Sequence, residues 1–185
     1  MKKPVLAGVM ALLGAIALSP PTQADDFTCD SNLGTITVEN VRVPDGATCN
    51  LNGARVEGTI KVESGAVLVV RNVQVKGNIQ AENAAQVTVL SGSAVGGSIQ
   101  VKQSGGATVL NSRISGDLQF DDNTQALVSE NNYIGRNLQA VRNRGGLRIL
   151  TNRIDGNLHC KDNRPAPTGS GNIVRGNKAD QCDRL

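Results

Sequence analysis

A phrase close to Gly-Asn-(Ile/Leu)-Gln returns along this chain at near-constant spacing. It reads Gly58-Thr59-Ile60-Lys61, Gly77-Asn78-Ile79-Gln80, Gly97-Ser98-Ile99-Gln100, Gly116-Asp117-Leu118-Gln119, Arg136-Asn137-Leu138-Gln139 and Gly156-Asn157-Leu158-His159. The apolar anchors Ile60, Ile79, Ile99, Leu118, Leu138 and Leu158 lie 19 or 20 residues apart. A fixed period of this size marks a solenoid, in which each unit buries its apolar side only by stacking on its neighbours.

Within a unit the pattern alternates. Ile60 and Val62 share one side while Thr59, Lys61 and Glu63 take the other, the period of a strand. The same pairing recurs as Ile36/Val38, Ile79/Ala81, Ile99/Val101, Leu118/Phe120, Leu138/Ala140 and Leu158/Cys160. A second apolar patch reads Val67/Val69, Val87/Val89, Ala107/Val109, Ala126/Val128 and Leu147/Ile149. A third column, Val56, Val75, Val95, Ile114, Ile134, Ile154 and Val174, sits four residues before each anchor position. Three apolar stretches per unit predict three short strands and three turns.

The units are rich in Val, Ile, Gly, Asn and Ser, which disfavours helix. The leucine spacing and helical half of a leucine-rich repeat are missing. The chain is therefore expected to be all-β, a single-stranded parallel β-solenoid of about six or seven coils, stacked about 4.8 Å apart. Its low aromatic content, Phe27, Phe120 and Tyr133 with no Trp, suits the thin layers of such a core.

The organisation follows. Residues 1–24 have the form of a secretory signal: Lys2 and Lys3, an apolar run from Val5 to Leu18, then Pro20, Pro21 and a small-residue ending at Ala24. Residues 25–57 are expected to form an N-terminal cap and an irregular first coil, with an insertion near Pro44-Asp45-Gly46-Ala47 to explain the gap of 24 between Ile36 and Ile60. Residues 58–160 form the regular coils. Residues 161–185 form a C-terminal cap, broken at Arg164-Pro165-Ala166-Pro167-Thr168-Gly169 because proline removes ladder donors. No segment of the mature chain is suited to span a membrane.

Cys29, Cys49, Cys160 and Cys182 form an even set in a chain predicted to be exported, to the periplasm or beyond, which reads as disulfides. Three connectivities are possible, with a zinc site as the alternative. Cys29–Cys49 and Cys160–Cys182 are favoured because each pair brackets one end of the array, where open ends need caps. The 19 basic and 16 acidic residues become 17 and 16 once Lys2 and Lys3 leave with the signal. Such a balance gives no reason to expect nucleic acid or anionic lipid as a partner.

Gln80, Gln100, Gln119 and Gln139 occupy one outward column, flanked by Lys61 and His159. They read as a stacked amide ladder or as a flat hydrogen-bonding face for glycan hydroxyls. Asn78, Ser98, Asp117, Asn137 and Asn157 form another column, and Asn132, Asn152 and Asn172 line a turn; internal stacking is the expectation for both. Glu63, Glu82, Lys102, Asp121, Arg142 and Lys161 read as an edge of mixed charge. For catalysis the available candidates are Asp121, Asp122 and Arg142, and His159 stands alone. No nucleophile elbow or phosphate loop is present, and no metal or cofactor is expected.

The coil length and the Gly/Asn/apolar pattern, from about Gly34 to Cys182, resemble bacterial right-handed parallel β-helix proteins of the pectate-lyase-like kind. The stretch from Gly156-Asn157-Leu158-His159-Cys160 through Pro165-Ala166-Pro167 to Gln181-Cys182 resembles the ending of exported bacterial proteins of unknown function. The resemblance implies a right-handed coil. It does not carry the chemistry of the lyases, whose acidic clusters are missing here. The resulting expectation is an exported, monomeric, non-catalytic module that binds an envelope polysaccharide or protein. The alternative is a minimal polysaccharide lyase or hydrolase.

Overall fold

The computed structural model describes residues 26–185; the predicted signal lies outside them. All of its elements are β-strands, 25 in number, and every pairing is parallel. They form three sheets of nine, eight and eight strands, and each sheet takes every third strand of the chain. No helix among the described residues is long and apolar enough to cross a membrane.

The first sheet contains Ile60–Val62 and its equivalents, the second Val67–Arg71, and the third Gln74–Val75. Register follows the period. Ile60 pairs with Ile79, Ile79 with Ile99, Ile99 with Leu118, Leu118 with Leu138, and Leu138 with Leu158. All six anchors are fully buried, as is Phe120, the one aromatic ring in the core of the described residues. The column from Val56 to Ile154 is buried as well.

Three expectations are corrected. Ile60 pairs not with Ile36 but with Val41, 19 residues earlier. Pro44-Asp45-Gly46-Ala47 is then no insertion. It is the ordinary turn of its coil, stacked under Glu63-Ser64-Gly65-Ala66 through Gly46 N–H to Ser64 O at 2.8 Å. Val38 belongs to the third sheet, opposite Val56. The irregular step lies one coil earlier, where Phe27 pairs with Val41 after only 14 residues.

In the second sheet Leu68 and Val70 point inward, leaving Val67 and Val69 half-exposed outside. Leu127 and Ser129 likewise replace Ala126 and Val128 as the inward pair. A shift of one residue moves a strand's side chains to the other face. In the charged edge, finally, Asp121 pairs with Val141, so Arg142 lies one position outside that column.

Two turn columns run along the rod with left-handed backbone. Asn83, Gln103, Asp122, Arg142 and Asp162 form one, with φ between 49° and 58°. Asn72, Asn111, Asn131 and Thr151 form the other, joined by Gly53, Gly92 and Gly171. Asn and Asp tolerate this region better than most residues.

The core is closed at both ends by disulfides, Cys29–Cys49 and Cys160–Cys182, with Cα separations of 5.4 and 5.3 Å. All four cysteines are buried. Close stacking elsewhere requires glycine. A Cβ on Gly145 would lie 2.0 Å from the carbonyl carbon of Gln125 in the preceding coil. Gly145→Ala is therefore expected to cost about 2 kcal/mol, as overpacking does. Chemical denaturation checks it; an unchanged midpoint would contradict this close approach.

Candidate functional site

The outer face of the first sheet holds the predicted glutamine column. Gln80, Gln100, Gln119 and Gln139 are paired position for position on successive strands, so their amides project at the strand spacing of about 4.8 Å. Lys61 precedes them and His159 follows in the same register. Gln80 is exposed and the other three are half-buried. Shallow depressions flank the row: one of about 240 Å³ bounded by Lys61, Gln80, Glu82, Gln100 and Lys102, and one of about 320 Å³ bounded by Asn137, Gln139, Asn157 and His159. His159 Nε2 lies 2.7 Å from Asp180 Oδ2.

These glutamines differ from the asparagine columns in one respect. Among the described residues, no hydrogen bond joins one glutamine amide of the row to the next. The asparagine columns are bonded from coil to coil. In the edge column, Ser98 N–H donates to Asn78 Oδ1 at 2.8 Å, Asn137 N–H to Asp117 Oδ1 at 2.9 Å and Asn157 N–H to Asn137 Oδ1 at 2.8 Å.

Inside the rod two further stacks run. Asn132, Asn152 and Asn172 form one, as expected: Asn132 N–H donates to Asn152 Oδ1, and Asn152 N–H to Asn172 Oδ1. The other has no counterpart among the expected columns. Asn123 N–H donates to Asn143 Oδ1 at 3.0 Å, Asn143 N–H to Asn163 Oδ1 at 3.1 Å, and Asn163 N–H to Gln181 Oε1 at 2.8 Å. Each Nδ2 also donates to a backbone carbonyl of the coil before, Asn143 to Phe120 O and Asn163 to Ala140 O. The sequence signal for this stack is the 20-residue spacing of Asn123, Asn143 and Asn163.

The catalytic candidates are arranged as an ion pair. Arg142 donates through Nε and Nη2 to both oxygens of Asp122, each at 2.8 Å. This fork holds the Asp122 carboxyl below its ordinary range and raises the guanidinium in turn. Asp121 sits between Lys102 and Val141 in the strand register. Among the described residues, no three His, Cys, Asp or Glu side chains are grouped to hold a metal ion. Comparison of the chain with family models, with curated proteins and with solved structures gave no match, so the meaning of these faces rests on their own chemistry.

Proposed function

We propose that the chain is an exported, non-catalytic β-solenoid that presents its glutamine face to a hydroxyl-rich cell-envelope polymer or to a protein partner. One observation carries this reading: the four glutamine amides stand in register and are not bonded to one another, whereas the asparagine amides are committed to the backbone. A row of uncommitted donors and acceptors at a fixed interval suits a polymer whose hydroxyls also recur at a fixed interval. Export is supported by the Lys2-Lys3 start with its apolar run, and by the two disulfides. A monomer is supported by the disulfide caps on both ends of the core.

A lyase built on Asp121, Asp122 and Arg142 needs an uncommitted base beside its substrate. Asp122 and Arg142 instead engage each other at two atoms. The test is a quadruple variant, Gln80→Ala, Gln100→Ala, Gln119→Ala and Gln139→Ala. Each lost amide contact is worth about 1 kcal/mol, so binding to isolated envelope polymer or partner is expected to weaken at least about tenfold. The melting temperature should stay close to that of the parent, because the four side chains lie on the outer face, outside the core, and are not bonded to one another. Equal binding by variant and parent would refute the role of this face.

A further inference from the structure

The third sheet has a different surface. Between Arg55 and Arg175 its outward positions carry five cations, Arg55, Lys76, Arg113, Arg153 and Arg175, against two carboxylates, Glu57 and Asp155. Glu39 lies in the coil before. The cations are not scattered. Glu57 is held by Arg55 at 2.5 Å and by Lys76. Asp155 lies 3.7 Å from Arg153 and 3.4 Å from Arg175, and accepts from the Tyr133 hydroxyl at 2.5 Å. Midway between these clusters Arg113 lies over the Tyr133 ring, 4.2 Å from its centroid, and among the described residues it has no carboxylate within ion-pair distance.

Each cluster of two cations and one carboxylate leaves one net positive charge. Arg113 supplies a third. Counted along the stack, the three charges are separated by two and a half coils each, or about 12 Å at the strand spacing. Between the first cluster and Arg113 the floor is low, formed by Ala94, Gly96 and Ser115, and a groove of about 320 Å³ opens there, bounded by Arg55, Lys76 and Arg113; between Arg113 and the second cluster lies the Tyr133 ring. The face thus carries positive charge at wide, even intervals along the rod axis, with a groove over its first half.

We propose that this face binds an extended uronate-bearing glycan in which neutral sugars separate the acids. Arginine forks match carboxylates in two parallel hydrogen bonds, and the cations of this face already engage Glu57 and Asp155 in the folded chain. Charge spacing selects the polymer. A sugar residue in an extended chain advances by roughly one strand spacing, so two and a half coils match one acid in every two or three sugars. Duplex DNA, with one charge per about 1.7 Å, is far denser than the face can neutralise. The proposal is independent of the glutamine face, which lies on another sheet.

The test uses the full-length folded protein at low ionic strength. The probes are an alternating glucuronate–N-acetylglucosamine polymer, a galacturonate homopolymer, a polyglycerol phosphate, duplex DNA and neutral dextran. The alternating polymer is expected to bind most tightly. Arg113→Gln should weaken it about tenfold, the loss of one charged hydrogen-bonding group; Arg153→Gln is the second variant should the first not fold. The quadruple glutamine variant should bind this polymer as the parent does, which separates the two faces. Absence of binding, equal binding by Arg113→Gln, or tighter binding of the homopolymer, the phosphate polymer or DNA would overturn the proposal.

Discussion

Replacing Asn143 with leucine is expected to lower stability by about 4 kcal/mol, more than the loss of a terminal disulfide. The side chain serves both neighbouring coils. Its Oδ1 accepts from Asn123 N–H and from Asn123 Nδ2, and its Nδ2 donates to Phe120 O and to Asn163 Oδ1. Asn143 is 1% exposed, so water does not replace what leucine removes. The Asn123 backbone N–H is left buried without its acceptor, while Asn123 Nδ2 keeps only Val101 O, and an orphaned buried donor costs more than the bond it made. For a domain of this size that is a fall in melting temperature of roughly 10 °C. Asn137→Leu is the control. Asn137 also links two coils, but at the half-exposed edge, where solvent can take over, so a loss of about 1 kcal/mol is expected. Equal losses at the two positions would show that burial of the inner stack is not what gives it its strength.

Removing the second disulfide, with Cys160→Ala and Cys182→Ala together, is expected to cost about 3 kcal/mol, the entropy of a loop of this length in the unfolded chain. The cysteines are 22 residues apart. The damage should be local. Gln181 precedes Cys182 and closes the inner asparagine stack, accepting from Asn163 N–H and returning a bond from Nε2 to Asn163 O at 2.9 Å. Loss of the bridge releases the end of the core and this closure together. Because each coil touches only its neighbours, amide exchange should accelerate in Leu158–Lys161 and Lys178–Asp180 while Ile79–Glu82 stays protected. Uniform acceleration along the rod would contradict that independence.

The inward columns of the first and third sheets are legible in the sequence because their anchors alternate cleanly with polar residues. The second sheet is not legible everywhere. Val67-Leu68-Val69-Val70 has no alternation, so parity along it is undetermined until a neighbour fixes the register. At Ser129 an inward position is polar, which hides it from any apolar pattern; its hydroxyl is bonded to Asn152 Oδ1 at 3.1 Å. Ile36 is apolar and near an anchor position, but the true anchor, Val41, obeys the 19-residue step. The glutamine row can be read from spacing. That its amides are not bonded to one another cannot, since an amide bonded along the stack and one left unbonded look alike in sequence. The cationic face is hidden for another reason: net charge sums over all three faces and says nothing about how they divide it.

The hydrogen bonds between coils give the rod a direction. In the inner stacks, the backbone N–H of one coil donates to the side chain of the coil that follows it, as Asn123 does to Asn143. In the edge column the sense reverses, and the later coil donates to the earlier side chain, as Asn157 does to Asn137. Two oppositely directed lines therefore run along the molecule, the edge line from Asn40 to Asn177 and an inner line from Ala84 through Ser104, Asn123, Asn143 and Asn163 to Gln181, and the coils of Asn123 and Asn143 both give and receive on each. Such a coil is interchangeable with its neighbours in these two lines, so neither line sets the length of the rod. A coil duplicated or excised in register there would leave both lines unbroken and keep the one-coil interval of the glutamine row, while changing the distance between the charges of the third sheet.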